Sequence, residues 1–214
     1  MNYANATVIL ADGAFPETPK VLEILRSAKR VIACDGAART VAQWGREPDW
    51  IAGDFDSLDK NLQELWADRM LHISEQDTND LNKAFCCALK MISPGEPLLI
   101  LGATGKREDH TIGNIGWLKE FAMQYANVQI ITDNGVFLPV LQSGSFPCRP
   151  GQAISIFNPN PLPLQVTSDG LKYPLNALAL SCWWTATLNV ALGNTFSLQF
   201  DNSNGPLIIF MAKL

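Results

Sequence analysis

The sequence predicts an α/β protein: an N-terminal, mostly parallel α/β sandwich domain over residues 1–134, then a small C-terminal antiparallel β-sandwich domain over residues 135–214. Two observations carry that expectation. In the first stretch, short apolar runs alternate with segments whose apolar residues recur at helical spacing, the pattern of strands joined by crossover helices. In the second, helical periodicity fades. Short β-rich pieces are instead separated by Gly, Pro, Asn and Ser, as in Asn158-Pro159-Asn160-Pro161 and Asp201-Asn202-Ser203-Asn204-Gly205, which is how hairpins are punctuated.

In chain order, the apolar runs place strands at 7–10, 30–34, 50–52, 70–73, 98–101 and 128–132, with helices at 20–27, 38–44, 60–69, 80–91 and 111–123. The helix at 80–91 sets Leu81, Ala84, Phe85, Ala88 and Leu89 on one side, an apolar stripe for the core. In the second domain the expected strands are 136–141, 153–157, 164–167, 188–191, 196–200 and 207–210. So small a domain is short of core and is expected to lean on the first domain or on a second subunit.

Composition narrows the function classes. Hydrophobic residues make up 47% of the 214 and charged residues 17%, with a net charge of −5. This is ordinary globular composition rather than disorder. Lys and Arg are scattered singly, with Lys106-Arg107 the densest cluster, so no basic face for nucleic acid is expected. The start Met1-Asn2-Tyr3-Ala4-Asn5 lacks the basic region of a signal peptide, and no apolar run approaches membrane-helix length. The five cysteines (Cys34, Cys86, Cys87, Cys148 and Cys182) are odd in number and form no Cys-x-x-Cys pair. That disfavours a disulfide framework or zinc knuckle and suits a reducing cytoplasm, with Cys86-Cys87 expected as buried helical thiols.

The polar residues that follow the strands carry the chemistry. Parallel strands point one way, so their following turns gather at the C-terminal edge of the sheet, where open α/β sheets bind ligands. Gly53-Asp54-Phe55-Asp56-Ser57 offers two carboxylates at i and i+2. They can converge on a hard cation such as Mg²⁺; the plainer reading is a turn in which one Asp caps the next helix. In Asp77-Thr78-Asn79-Asp80-Leu81-Asn82-Lys83, Asp77 can cap a helix, while Asp80 and Lys83 share a face. Four aspartates (Asp54, Asp56, Asp77 and Asp80) on turns at one edge would repel one another without a cation. Lys83 would then face phosphates. Gly102-Ala103-Thr104-Gly105-Lys106-Arg107-Glu108-Asp109-His110 leads from a strand into a helix, with glycines that admit a phosphate and cations beside it. Its spacing is not that of a Walker A loop. The plainer reading of Asp109-His110 is a helix cap with a satisfied histidine. His72, within a strand, is assigned no role.

Together these segments resemble the thiamine pyrophosphokinase family. The resemblance runs through Cys34-Asp35-Gly36-Ala37, Gly53–Ser57, the run from Gln76 to Ala84, the run from Gly102 to His110, and Gly170-Leu171-Lys172-Tyr173-Pro174-Leu175. It implies a catalytic α/β domain, a thiamine-binding β-sandwich, and a homodimer whose active site is shared between subunits. The reaction implied is transfer of diphosphate from ATP to the hydroxyl of thiamine, with Mg²⁺. Residues Asp54, Asp56, Asp77 and Asp80 would hold the metal. Lys83 would lie in the same pocket as Asp35, Gly36, Thr104, Arg107, Asp109 and His110 on the nucleotide side. Tyr173 would lie against the thiamine rings, suiting a cationic thiazolium, with Thr187 and Asn189 beside it. The family usually carries Gly-Thr-Ser-Asn where this chain has Ala186-Thr187-Leu188-Asn189, so Leu188 cannot donate the serine's hydrogen bond, a loss of ~1–3 kcal/mol if the pyrimidine group is left unpaired. Ala37 in place of the family's glycine narrows the nucleotide pocket. Two rivals share these residues: a diphosphokinase for another alcohol such as a pterin, and a non-catalytic thiamine or nucleotide sensor. A third reading has the aspartates only capping helices.

Overall fold

The computed structural model describes residues 3–55, 58–73 and 77–213. The chain divides into two compact units, Met1–Trp117 with Ile130–Asp133, and Leu118–Gln129 with Asn134–Leu214.

The first unit is built on β1 (Thr7–Leu10), β2 (Arg30–Cys34), β3 (Trp50–Gly53), β4 (Met70–His72) and β5 (Leu98–Leu101). All pair in parallel, in the order β5-β1-β2-β3-β4. The sequence explains why. The runs TVIL of β1 and LLIL of β5 are buried at every position, as strands covered on both faces must be. Between the strands lie α1 (Pro19–Ser27), α2 (Asp35–Gln43), α3 (Lys60–Leu65) and α4 (Asp80–Leu89); α5 (Glu108–Gln124) follows β5 and leads to β6 (Val128–Thr132). α1 and α2 close over the sheet with Val21, Ile24, Leu25, Ala38 and Val41, joined in one core by Val8, Leu10, Val31 and Leu99.

Several details differ from expectation: α2 and α5 begin three residues early, at Asp35 and Glu108. The helix foreseen over 60–69 ends at Leu65, and a separate 3₁₀ turn spans Ala67–Arg69, because Trp66 leaves helical geometry (φ −110°) and buries its indole in the core. The cap of α4 is Asn79, whose side chain accepts from the Asn82 amide at 3.0 Å, rather than Asp77. Cys87 is buried but Cys86 is exposed, since successive helical residues point about 100° apart and cannot share one stripe.

The second unit holds two antiparallel sheets. One is β12 (Ala186–Val190), β9 (Ala153–Phe157), β14 (Leu207–Ala212) and β7 (Gly135–Val140) in that order; the other is β11 (Leu178–Leu180), β10 (Leu164–Asp169), β13 (Thr195–Phe200) and β8 (Gly144–Pro147). β10 alternates buried and exposed throughout, as a strand with one face inward does. Ile154, Ile156, Leu207 and Ile209 of one sheet share a core with Val166, Leu180, Phe196 and Leu198 of the other. This is the expected sandwich. Strands β8 and β11 were not foreseen. Among the described residues no helix is long and apolar enough to cross a membrane.

Candidate active site

At the C-terminal edge of the parallel strands the chain opens a cavity of about 480 Å³. Its wall draws on the ends of β1, β2, β3 and β5 and on the first turns of α2, α4 and α5, as parallel topology dictates. Two of the turns are locked together. The Gly13 amide donates to the Gly102 carbonyl and the Ala14 amide to the Thr104 carbonyl, each at 2.7 Å. Gly102 has φ 65° and its missing Cβ leaves room for the Ala11 carbonyl.

The buried centre of the cavity wall is Lys83. Its side chain is only 3% exposed, and Nζ lies 3.3 Å from Asp80 Oδ1 and 3.8 Å from Asp54 Oδ2. A lysine on the first turns of α4 reaches this position because Leu81, Ala84, Phe85 and Ala88 seat the helix in the core. Asp54 stands just past β3. The next residue, Phe55, adopts φ 68° with its ring buried, a conformation costly for a non-glycine residue and of the kind that clusters at functional sites.

Other carboxylates surround this pair. Asp35 is the first residue of α2 and is buried. It sits behind Gly53, where a Cβ would come within 2.8 Å of its own Cβ. Asp12, at the end of β1, lines the cavity and lies across Gly36, where a Cβ would meet its Oδ2 at 2.5 Å. Asp12 also takes Lys106 Nζ at 2.8 Å. Burial pushes the Cys34 thiol well above its ordinary value, and the charges of Asp80, Asp12 and Asp35 push it further, so three carboxylates bear on one point of the wall. On the rim, Arg107 grips Asp109 through Nη2–Oδ2 at 2.6 Å and Nε–Oδ1 at 3.1 Å. Those bonds, with one from the His110 amide, hold the Asp109 carboxyl at about 2.

The structure thus brings Gly36, Asp54, Asp80, Lys83, Arg107 and His110 to one cavity. Asp35 lies buried just behind it. Asp77 is exposed and falls outside the cavity lining, as do Thr104 and Asp109. Asp56 lies outside the described residues. Among the described residues no three His, Cys, Asp or Glu side chains converge as a metal cage. Two carboxylates with room for phosphate oxygens and water nevertheless suit Mg²⁺, which is bound through one or two carboxylates and substrate rather than an all-protein cage. Sequence reasoning missed Asp12, although the rule applied to the other strand ends covers the end of β1 equally. It also missed Asn114 of α5, which donates to the Ala103 carbonyl at 2.9 Å and accepts from Asn79 Nδ2 at 3.0 Å, tying the starts of α4 and α5 together.

In the second unit, Tyr173 is 58% exposed and Lys172 Nζ lies 5.4 Å from the centre of its ring. Thr187 Oγ1 donates to the Trp184 carbonyl at 3.1 Å. Asn189 is buried, and Leu188 beside it is 82% exposed at φ 60°.

Comparison with known proteins agrees with this reading. Residues 21–131 match the model of the thiamin pyrophosphokinase catalytic domain, and residues 135–210 that of the thiamin pyrophosphokinase substrate-binding domain. Thiamin pyrophosphokinase 1 of Caenorhabditis elegans is 28% identical over 167 residues, covering 72% of this chain and 67% of that protein. Thiamine pyrophosphokinase 1 of Oryza sativa subsp. japonica is 33% identical over 103 residues, 43% of this chain and 38% of that one. A thiamin pyrophosphokinase family protein from Enterococcus faecalis has the same fold, with a TM-score of 0.78 over 98% of this chain and 99% of its own, at 19% identity. With both domain models matched in order over most of its length, the chain belongs to the thiamin pyrophosphokinase family.

Proposed function

We propose that the chain transfers diphosphate from ATP to the hydroxyl of thiamine, giving thiamine diphosphate and AMP, in the cavity around Asp54, Asp80 and Lys83. The observation that carries this reading is the buried Lys83 ammonium set between two carboxylates at the sheet edge. Residues 1–134 would bind ATP, with Asp35, Gly36, Thr104, Arg107, Asp109 and His110 on the nucleotide side. Residues 135–214 would bind thiamine through Tyr173 and Thr187.

In the reaction the thiamine oxygen bonds to the β-phosphorus, and the bond from that phosphorus to the bridging oxygen of AMP breaks. Little covalent work falls to the protein; positioning and charge neutralisation dominate. Lys83, Lys106 and Arg107 would draw the phosphates in and offset their charge, helped by the start of α2 at Gly36. Of the two candidate carboxylates, Asp80 lines the cavity and would accept the hydroxyl proton; Asp77 lies outside the lining. Mg²⁺, when held by Asp54 and Asp80 with Asp56 and Asp77 as further candidates, supplies positive charge against the phosphate oxygens. A homodimer with a shared active site is part of this proposal; the exposed Leu162, Trp184, Leu188 and Leu192 of the second unit support it. So is a cytoplasmic location, consistent with five free cysteines.

The test is product analysis by phosphorus NMR with ATP, Mg²⁺ and thiamine. AMP and thiamine diphosphate should form only when thiamine is present, and Asp54→Asn should slow turnover by about 100-fold or more while leaving the circular dichroism spectrum unchanged. Full activity in that variant would remove Asp54 from the site; turnover with another alcohol but not thiamine would overturn the acceptor assignment.

A further inference from the structure

We infer that Asn189 is a positioning residue that acts through Tyr173, rather than a side chain that touches the acceptor. This rests on the assignment of Tyr173 to thiamine made above.

Tyr173 sits on a strap, residues 170–175, laid beside the end of β12. The strap begins at Gly170 (φ 79°), where a Cβ would approach the Thr195 carbonyl oxygen to 2.7 Å. Leu171 and Leu175 anchor it in the core. Its backbone is bonded on both sides of the tyrosine. The Leu192 amide donates to the Gly170 carbonyl at 2.9 Å and the Lys172 amide to the Val190 carbonyl at 2.8 Å. The Leu175 amide donates to Ser168 Oγ at 2.8 Å, and the Ser168 amide returns a bond to the Leu175 carbonyl at 2.9 Å.

The backbone of Tyr173 itself is held by a side chain. Asn189 Oδ1 accepts from the Tyr173 amide at 3.1 Å, and Asn189 Nδ2 donates to the Tyr173 carbonyl at 2.6 Å. The carboxamide thus offers the acceptor and donor that a neighbouring strand would. Asn189 can do this because β12 is irregular: its register against β9 shifts between Ala186 and Asn189, and Leu188 takes φ 60° with its amide donated to Ser155 Oγ at 3.1 Å. Leu188 is left outside and Asn189 inside, 3% exposed.

Counting valences separates positioning from contact. Oδ1 also accepts from the Val190 amide at 2.9 Å, so both its lone pairs are used, and one of the two N–H bonds of Nδ2 is taken by Tyr173. Little of Asn189 remains for a ligand, whereas the ring it fixes is open to solvent. A ring fixed before binding spares the ligand the cost of ordering it.

The test is a double-mutant cycle in the intact protein, read as steady-state thiamine KM, ATP KM and kcat at a temperature where every variant is folded by circular dichroism. Asn189→Ala is expected to raise thiamine KM about tenfold with kcat and ATP KM within about twofold, because lost preorganisation weakens binding of the acceptor alone. Asn189→Asp, which keeps the shape but loses the donor, should do the same. In a Tyr173→Ala background, itself raised in thiamine KM, Asn189→Ala should add nothing. Additive effects would overturn the inference, since Asn189 would then act on thiamine directly. So would an unchanged thiamine KM in both Asn189 variants beside a raised one in Tyr173→Ala. A silent Tyr173→Ala would remove Tyr173 from the thiamine site and take the inference with it.

Discussion

The two ends of the parallel sheet handle charge in opposite ways. At the end where the strands begin, Glu96 is buried, with its side chain 5% exposed, and fully answered. Thr7 Oγ1 donates to it at 2.5 Å, Lys29 Nζ lies at 2.7 Å, and Arg30 Nη1 at 3.5 Å. Thr7, Arg30 and Leu98 sit side by side in the register of β1, β2 and β5, so one carboxylate with two cations staples three strands. At the end where the strands finish, Asp12, Asp54 and Asp80 line an open cavity together with Lys83, Lys106 and Arg107, with Asp35 buried just behind. The first cluster is complete without a ligand. The second sets carboxylates and cations side by side around open space rather than closing them on one another. Open space beside the charges, more than their number, distinguishes the cavity end from the stapled end.

Changes at each end sharpen that contrast. The largest effect is expected from Lys83→Met, which leaves Asp54 and Asp80 facing each other: turnover should fall about 100-fold, and Mg²⁺ should raise the melting temperature more than it does in the unaltered protein. A Mg²⁺ shift no larger than that of the unaltered protein would argue against metal at these carboxylates. Next, Glu96→Gln should cost about 1–3 kcal/mol of stability, measured by urea unfolding, with ATP and thiamine KM unmoved. A changed KM would break the division of labour between the two ends.

That second change also has a pH signature. Burial alone would push the Glu96 carboxyl up, but the hydrogen bonds from Lys29, Thr7 and the Ser93 amide outweigh it and hold it below its ordinary value. A carboxyl held low in the folded state stabilises the fold above its unfolded value of about 4.3, and that stabilisation is lost as pH falls through the lower folded value. Between pH 6 and pH 3 the unaltered protein should therefore lose more stability than Glu96→Gln does; parallel curves would remove Glu96 as the cause. The smallest effect is expected from Lys106→Ala. Its bond to Asp12 is half-exposed and should contribute less than about 1 kcal/mol to stability. ATP KM should nonetheless rise several-fold if Lys106 faces the phosphates, and an unchanged KM would take it out of the nucleotide pocket.

The parallel strands were legible because burial on both faces demands unbroken apolar runs, such as Leu98–Leu101. Strands β8 and β11 were not, because they are the two edges of their sheet. An edge strand needs neither regular alternation nor every amide, so β8 carries Gly144 and Pro147 without penalty and shows no strand pattern. The same limit applies in the sites. Asp54, Asp80 and Lys83 announce themselves by lying just past a strand or at the start of a helix. Asn189 is reached through the family resemblance alone, and its pairing with Tyr173 stays hidden, because it depends on a one-residue irregularity in β12. Composition and spacing hold no trace of it.

The locked turns after β1 and β5 carry a consequence for how this chain can change over generations. A Cβ on Gly13 would run into the carbonyl oxygens of both Gly102 and Thr104, and one on Gly105 would come within 2.6 Å of the Ala14 Cβ. Neither turn can acquire bulk without the other giving way. Drift along this lineage should therefore be slow at positions 13, 102 and 105 together, and the two loops should be inherited as one unit even though nearly ninety residues of sequence separate them.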